Sequence, residues 1–337
     1  MNVSGNCSGA EEHLVEVRVF ASVTSFVLLA FFNLVINSTI LSEDRLRSQA
    51  RFVLLLHLLL SGVVYFGLSS SFYLLTYLRA AVSASWCLAL LLALMVSGSS
   101  ILLTLTLMAV DRYLAICHPL KYSAFCARHS VWFLCPLIWF CSSVIPLILV
   151  CQQVGPRAQQ GPGPGPGPAK RCSSSHLASS HNMKQTSKIL LIGVCTLLIL
   201  FSYLKILAES WRIGTLNRRN RRARSTILMH GVQLSVYIIP TFITFFLQVL
   251  AQAGKLDQCT RARFEVANFA FFSLAQCISP VIYGLRKEEL WDLLCHKYPC
   301  LHWDFKRLLE GLVGVSGCLR GPSCLSRRPP PPADAPW

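Results

Sequence analysis

Charge is what this sequence has least of: Asp, Glu, Lys and Arg make up 14% of its 337 residues, against 53% hydrophobic residues. That balance excludes a pair of soluble domains, the reading that length alone would suggest. Between Ala80 and Val110 there is no charged residue at all. Carboxylates are the scarcer sign, 15 against 31 basic side chains, so the formal net charge is +16. The sequence also lacks paired carboxylates set for acid–base work, His/Cys spacing for a metal, and a glycine loop to cradle phosphate, so no enzyme, metal or cofactor site is expected. Internal repeats of the kind that build secondary transporters are missing too. So is a cleavable leader: Met1 to Arg18 is polar and acidic rather than basic and then apolar, and the first apolar run is expected to act as its own insertion signal.

What is present is a set of seven long apolar runs, at about 19–41, 52–78, 83–110, 130–151, 186–207, 225–252 and 264–285, in which Lys188, Lys205 and Glu265 are the charged residues. Each is long enough to cross roughly 30 Å of hydrocarbon at about 1.5 Å per helical residue. The fold class expected is therefore all-α, a seven-transmembrane helix bundle. Its domain organisation reads as a tail at 1–18, a bundle at 19–285, a short amphipathic membrane-surface eighth helix at 286–300 and a disordered tail at 301–337. The amphipathic stretch begins Leu285-Arg286-Lys287-Glu288-Glu289-Leu290-Trp291, with its apolar residues at helical spacing.

The basic residues are a topology signal before they are a nucleic-acid signal. About two thirds of them fall on one side of the membrane if the N-terminus is outside, among them Arg45, Arg47, Arg51, Lys121, Arg128 and the run Arg218 to Arg224. That run is expected to anchor on anionic lipid and to rim an inner cavity, and nucleic acid is not an expected partner. The connection holding Arg157, Lys170, Arg171 and Lys184 runs against the bias. It also contains the tract from Gly161 to Pro168, in which glycine and proline alternate and neither helix nor strand is expected. Asn2-Val3-Ser4 and Asn6-Cys7-Ser8 are acceptor sequons, so Asn2 and Asn6 are candidate glycosylation sites on an outside tail.

The stretch with the most chemistry is Asp111-Arg112-Tyr113-Leu114-Ala115-Ile116-Cys117-His118-Pro119-Leu120-Lys121-Tyr122, where the third run meets water. A charge pair costs little there and much more at the bilayer centre. Asp111 holds Arg112 only modestly at that depth, so the pair is easily broken if a neighbouring helix tilts. This wording resembles the third helix and second cytoplasmic loop of rhodopsin-like G-protein-coupled receptors, and most of all the odorant branch. Ser279-Pro280-Val281-Ile282-Tyr283 is similar to the family's Asn-Pro-x-x-Tyr ending of helix seven, with Ser in place of Asn. The resemblance spans about residues 20–300.

The resemblance implies a plasma-membrane receptor with an extracellular N-terminus that couples a small-molecule ligand to a heterotrimeric G protein. It implies an activation switch made of Asp111, Arg112, Tyr113, Tyr203, Pro240, Ser279, Pro280 and Tyr283, with Tyr203 swinging toward the freed arginine. It also implies a disulfide from Cys87 to the fourth-to-fifth connection, where Cys172 is the better candidate than Cys151. Cys7 and Cys259 are candidates for a second bridge. By the family's spacing, the pocket lining is Leu94, Met95, Gly98 and Ser99 on the third helix, Thr241, Phe242 and Phe245 on the sixth, and Phe269 and Phe272 on the seventh.

The sequence departs from the family in instructive places. The second helix has Ser61-Gly62 where most members carry a sodium-binding aspartate, so sodium-dependent allostery is not expected. His57, the titratable group on that helix, is expected to be a hydrogen-bonded packing residue. Leu94 stands where amine receptors have an aspartate, and Ser273 where opsins have their retinal-binding lysine, which leaves an apolar, aromatic cavity for small hydrophobic or weakly polar ligands. The fifth helix has Cys195 at the place of its usual proline. The sixth keeps Pro240 but has Ile238 in place of the aromatic switch, leaving the relay to the kink open. The function expected is an odorant-like receptor; the alternatives are an orphan non-olfactory receptor of the same family and, from another class, a multi-pass transporter or scramblase.

Overall fold

The protein is seen in a computed structural model that describes residues 5–118, 122, 128–159, 181–212, 221–254, 258–286, 293 and 297. Among the described residues eight helices follow one another: α1 (Gly5–Ser42), the single turn α2 (Asp44–Arg47), α3 (Ala50–Tyr77), α4 (Ala84–Cys117), α5 (Arg128–Gln159), α6 (His181–Arg212), α7 (Arg221–Gln252) and α8 (Gln258–Arg286). Apart from α2 these are seven long helices, in the order of the seven apolar runs.

The first helix is longer than its run. It reaches back to Gly5, where the sequence suggested a separate tail to residue 18. Nothing between Gly5 and Ser42 removes a backbone donor, since proline is absent there. Elsewhere the ends are set locally. Ser83 caps α4 by accepting a bond from the Trp86 amide, 3.4 Å. Past the end of α3, Arg79 turns the chain in the left-handed region at φ 52°.

The chain divides into two compact units, Met1–Pro280 and Val281–Trp337. In the first, α3 packs between α1 and α4, and α4 lies centrally, against α3, α5 and α6, while α7 packs along α6. Leu29, Ile40, Phe52, Val53, Leu54, Leu58 and Phe66 are all but inaccessible in its core. The outside is as apolar as the inside: Phe20, Leu34, Phe133, Phe140, Leu197 and Trp211 are each 68–75% exposed. A surface of that kind is stable against hydrocarbon and costly against water. Among the described residues four helical stretches are long and apolar enough to cross a membrane, His13–Ser42, Ala50–Tyr77, Ser85–Cys117 and Leu191–Arg212, with shorter apolar stretches at Trp132–Ile148 and Ile238–Leu247. Of the second unit, α8 contributes its last residues. The expected eighth helix at 286–300 and tail at 301–337 lie outside the described residues almost entirely.

Candidate functional site

At the end of α4 the Asp111 carboxylate is 8% exposed and held from two sides. The Tyr122 hydroxyl donates to its Oδ1 at 2.8 Å, and Arg112 Nε stands 3.9 Å from its Oδ2. The first is a well-formed hydrogen bond; the second is a charge pair too long for one. Arg112 is therefore close to its partner without being fastened to it. Tyr113 points elsewhere: its ring packs edge-on against Phe201 of α6, and its hydroxyl lies 3.2 Å from His118 Nε2. The Cys117 thiol faces the Lys205 carbonyl. Tyr203 of α6 packs, with Ile238 of α7, on a buried pair formed by Ala109 and Ile199, one turn back along α4 from Arg112. Asp111, Arg112, Tyr113 and Tyr203 are thus brought to one region of the bundle. Pro280 is buried inside α8, whereas the side chains of Ser279 and Tyr283 lie outside the described residues.

Next along the bundle, α3 and α4 are joined by hydroxyl and imidazole groups. His57 Nδ1 and Thr104 Oγ1 are 2.9 Å apart, and Thr104 Oγ1 is itself 2.6 Å from the Ser100 carbonyl. A carbonyl only accepts, so the threonine hydrogen is committed to it and the His57 ring must donate from Nδ1. His57 is 2% exposed and lies edge-on to Trp139 of α5, the packing role expected of it. Ser61 shares a hydrogen bond of 3.1 Å with Ser100, and both are fully buried. Neutral hydroxyls fill the place where a carboxylate is missing from the sequence. In α1, Asn37 donates from its side-chain nitrogen to the Asn33 side-chain oxygen one turn back, within the same helix.

The Pro240 region is tied to α8 by a residue that sequence reasoning passed over. Asn268 Nδ2 donates to the Pro240 carbonyl at 2.8 Å and lies 2.8 Å from Thr244 Oγ1, whose own hydroxyl donates to the same carbonyl at 2.9 Å. The carbonyl fixes the orientation of the amide, nitrogen inward. The signal was legible in outline: a lone asparagine inside an apolar run needs a partner on a neighbouring helix. Which partner it takes was not.

Of the expected pocket residues, the structure brings some together and not others. Phe269 and Phe272 of α8 pack on Tyr65, Phe66 and Tyr73 of α3, with ring centroids 5.4–6.2 Å apart, and the Tyr65 ring also covers Gly98 of α4. A Cβ on Gly98 would meet that ring at 3.5 Å. Leu94, Met95 and Ser99 on α4, and Thr241 and Phe245 on α7, are half-buried. Phe242 stands on the outward stripe of α7 with Ile239, Ile243 and Phe246. At one end of the aromatic column Glu265 takes two cations, Arg261 Nε at 2.7 Å and Arg18 Nη2 at 3.5 Å, and the Arg18 guanidinium lies over the Tyr73 ring. Cys87 and Cys259 are both disulfide-bonded. Cys172 and Asn2 lie outside the described residues, as do the side chains of Cys7 and Asn6.

Among the described residues, long helices with an apolar exterior and polar contacts between them, four of them able to cross a membrane by length and composition, are the build of a multi-pass helical membrane protein. Residues 32–283 match the family described as 7 transmembrane receptor (rhodopsin family), and the chain belongs to that family. It is 26% identical over 266 residues to the human protein "Probable G-protein coupled receptor 148", a match covering 76% of this chain and 75% of that one. It is 28% identical over 303 residues to human "Olfactory receptor 4M1", covering 86% and 90%, and 25% identical over 225 residues to "Odorant receptor 131-2" of Danio rerio, covering 63% and 67%. A receptor family replaces the transporter and scramblase alternatives.

Proposed function

We propose that this rhodopsin-family receptor is a chemosensory, odorant-like receptor of the plasma membrane. Its N-terminus is outside, its ligand is a small hydrophobic or weakly polar molecule, and it signals through a heterotrimeric G protein. The single observation that carries the reading is the state of Arg112: charged, a quarter exposed, and 3.9 Å from an Asp111 carboxylate whose better bond is to Tyr122. An arginine held that loosely is available to an inserted partner at small cost. The olfactory and odorant relatives support the ligand class, and so do the uncharged pocket candidates Leu94, Met95, Gly98, Ser99, Thr241, Phe245, Phe269 and Phe272.

Activation then runs as a change of partner. Ligand seated between α4, α7 and α8 shifts α7 about Pro240, where the bend lies. As the inner end of α7 moves outward, Arg112 leaves Asp111, and Tyr203 turns toward it. Ser279, Pro280 and Tyr283 supply the matching bend of α8, and a Cys87–Cys172 bridge holds the outer end of α4. Lipid contacts the apolar exterior and the basic run from Arg218 to Arg224. An orphan, non-olfactory role is the second reading, favoured by the relative "Probable G-protein coupled receptor 148".

Nucleotide exchange on a panel of G proteins, by membranes carrying wild type or Arg112→Ala with and without an odorant mixture, tests the reading. Exchange above empty membranes that is lost in Arg112→Ala is expected. Equal exchange from both would remove Arg112 from the switch.

A further inference from the structure

Glycine at position 231 has a neighbour that must move before any side chain could stand there. A Cβ built there would overlap the Tyr203 hydroxyl and stand 2.5 Å from Cζ and 3.1 Å from Cε2 of the same ring. The tip of Tyr203, reaching from α6, occupies the volume that any other residue on α7 would fill. The rest of the ring rests on Ala109 and Ile199, with Ile238 against the same pair. Ile238 is two turns along α7 from Gly231 and on the same face, so the tyrosine spans the seam between α6 and α7 while touching α4.

We propose that Gly231 is the seat of Tyr203 in the resting receptor, a positioning residue whose missing side chain lets α7 close over the tyrosine that activation must release. The proposal rests on the switch reading of Arg112 and Tyr203 above. A methyl group at 231 cannot share the space. The phenol tip is the far end of a side chain with two soft torsions, so it yields before either helix backbone does. It leaves the seam by turning toward Arg112, one turn beyond Ala109, or it stays and α7 is wedged away from α6. Either displacement raises the free energy of the closed arrangement and leaves the open one untouched, so the population shifts toward the open state.

Full-length protein in lipid nanodiscs, with 3-fluorotyrosine incorporated at position 203, tests this through two separate readouts. Gly231→Ala is expected to move the fluorine resonance and to raise ligand-free, Arg112-dependent nucleotide exchange by about five- to tenfold, the scale of a modest overpacking penalty. In unlabelled protein, adding Tyr203→Ala to Gly231→Ala is expected to return exchange to the level of Tyr203→Ala alone, because the methyl group then has room. An unmoved resonance overturns the seat. A moved resonance with unchanged exchange, in a preparation whose wild type does show Arg112-dependent exchange, overturns its role in activation. A moved resonance with no exchange from any protein on the whole G-protein panel sinks the receptor reading and leaves Gly231 a matter of packing. If Gly231→Ala fails to reach the cell surface, rescue by Tyr203→Ala supports the steric seat, and failure of rescue overturns it.

Discussion

Tyr122 shows how much of the switch depends on one hydroxyl. Its bond to Asp111 at 2.8 Å is the better of the two described contacts of that carboxylate, and it fixes the face that Arg112 sees. Tyr122→Phe removes a charge-assisted bond of about 1.5 kcal/mol and leaves a buried oxygen short of a donor. The resting pair loosens, and ligand-free nucleotide exchange is expected to rise about fivefold at equal surface expression. A fall in exchange would mean that the tyrosine serves the active arrangement instead. Asn268 is the other residue whose weight was hidden. Asn268→Leu deletes the donor shared by Pro240 and Thr244, and a loss of roughly 1–2 kcal/mol of stability is expected from removing one partner of a buried bond. It would be read as a lower melting temperature in detergent. Asn268→Asp should be worse than leucine, since an ionised carboxylate facing the Pro240 carbonyl has nothing to donate.

At the scale of elements, the α3–α4 seam is the clearest unit. His57, Thr104, Ser61 and Ser100 form two buried side-chain bonds across it. Because the His57 ring donates and Thr104 accepts, losing either leaves the other buried without its match. His57→Phe and Thr104→Val should each destabilise the protein, and the double variant should cost less than their sum. The cycle is expected to give a coupling of about 1 kcal/mol, and additive effects would show that the two groups do not depend on each other. The same seam explains why a helix lacking a carboxylate is not left with a hole: Ser61, in the place of the missing aspartate, pairs with Ser100 directly. For α7 and α8 the important contact is again polar, Asn268 to Pro240. It stands two residues from Ile238, which takes the place of the family's aromatic switch.

The whole molecule carries its apolar residues on both sides of its helices, and this decides where it is stable. Phe20, Leu34, Phe140 and Trp211 face outward and require hydrocarbon around them. With the N-terminus outside, an epitope fused ahead of Met1 should be reached by antibody on intact cells, and Asn2→Gln and Asn6→Gln should each lower the apparent mass by one glycan. A tag reached only after permeabilisation would invert the topology. The basic residues near Arg45 and Arg218 would then face outward, against the charge bias of the loops.

The sequence by itself determined the class of fold and placed the Asp111–Arg112 pair at the end of the third run. Seven long apolar runs admit few structures in a bilayer, where each backbone group must be bonded within its own segment, and Asp111-Arg112-Tyr113 at the end of the third run is a local pattern needing no partner to be read. It also marked His57 as a hydrogen-bonded packing residue, which its contacts with Thr104 and Trp139 bear out. Tertiary structure alone decided which residues meet. Asn268 on Pro240, Thr104 on His57 and Tyr203 in the gap at Gly231 are contacts between different helices, and each depends on the rotation of one helix about its axis, while Tyr122 reaches Asp111 from eleven residues further along the chain. Rotation also separated Phe242, on the outward stripe of α7, from Phe269 and Phe272 in the α3–α8 aromatic column. Hydrophobicity leaves that rotation undetermined in a membrane protein, because lipid and protein interior are equally apolar; close packing and hydrogen bonds between helices set it, and they exist only once the helices have assembled.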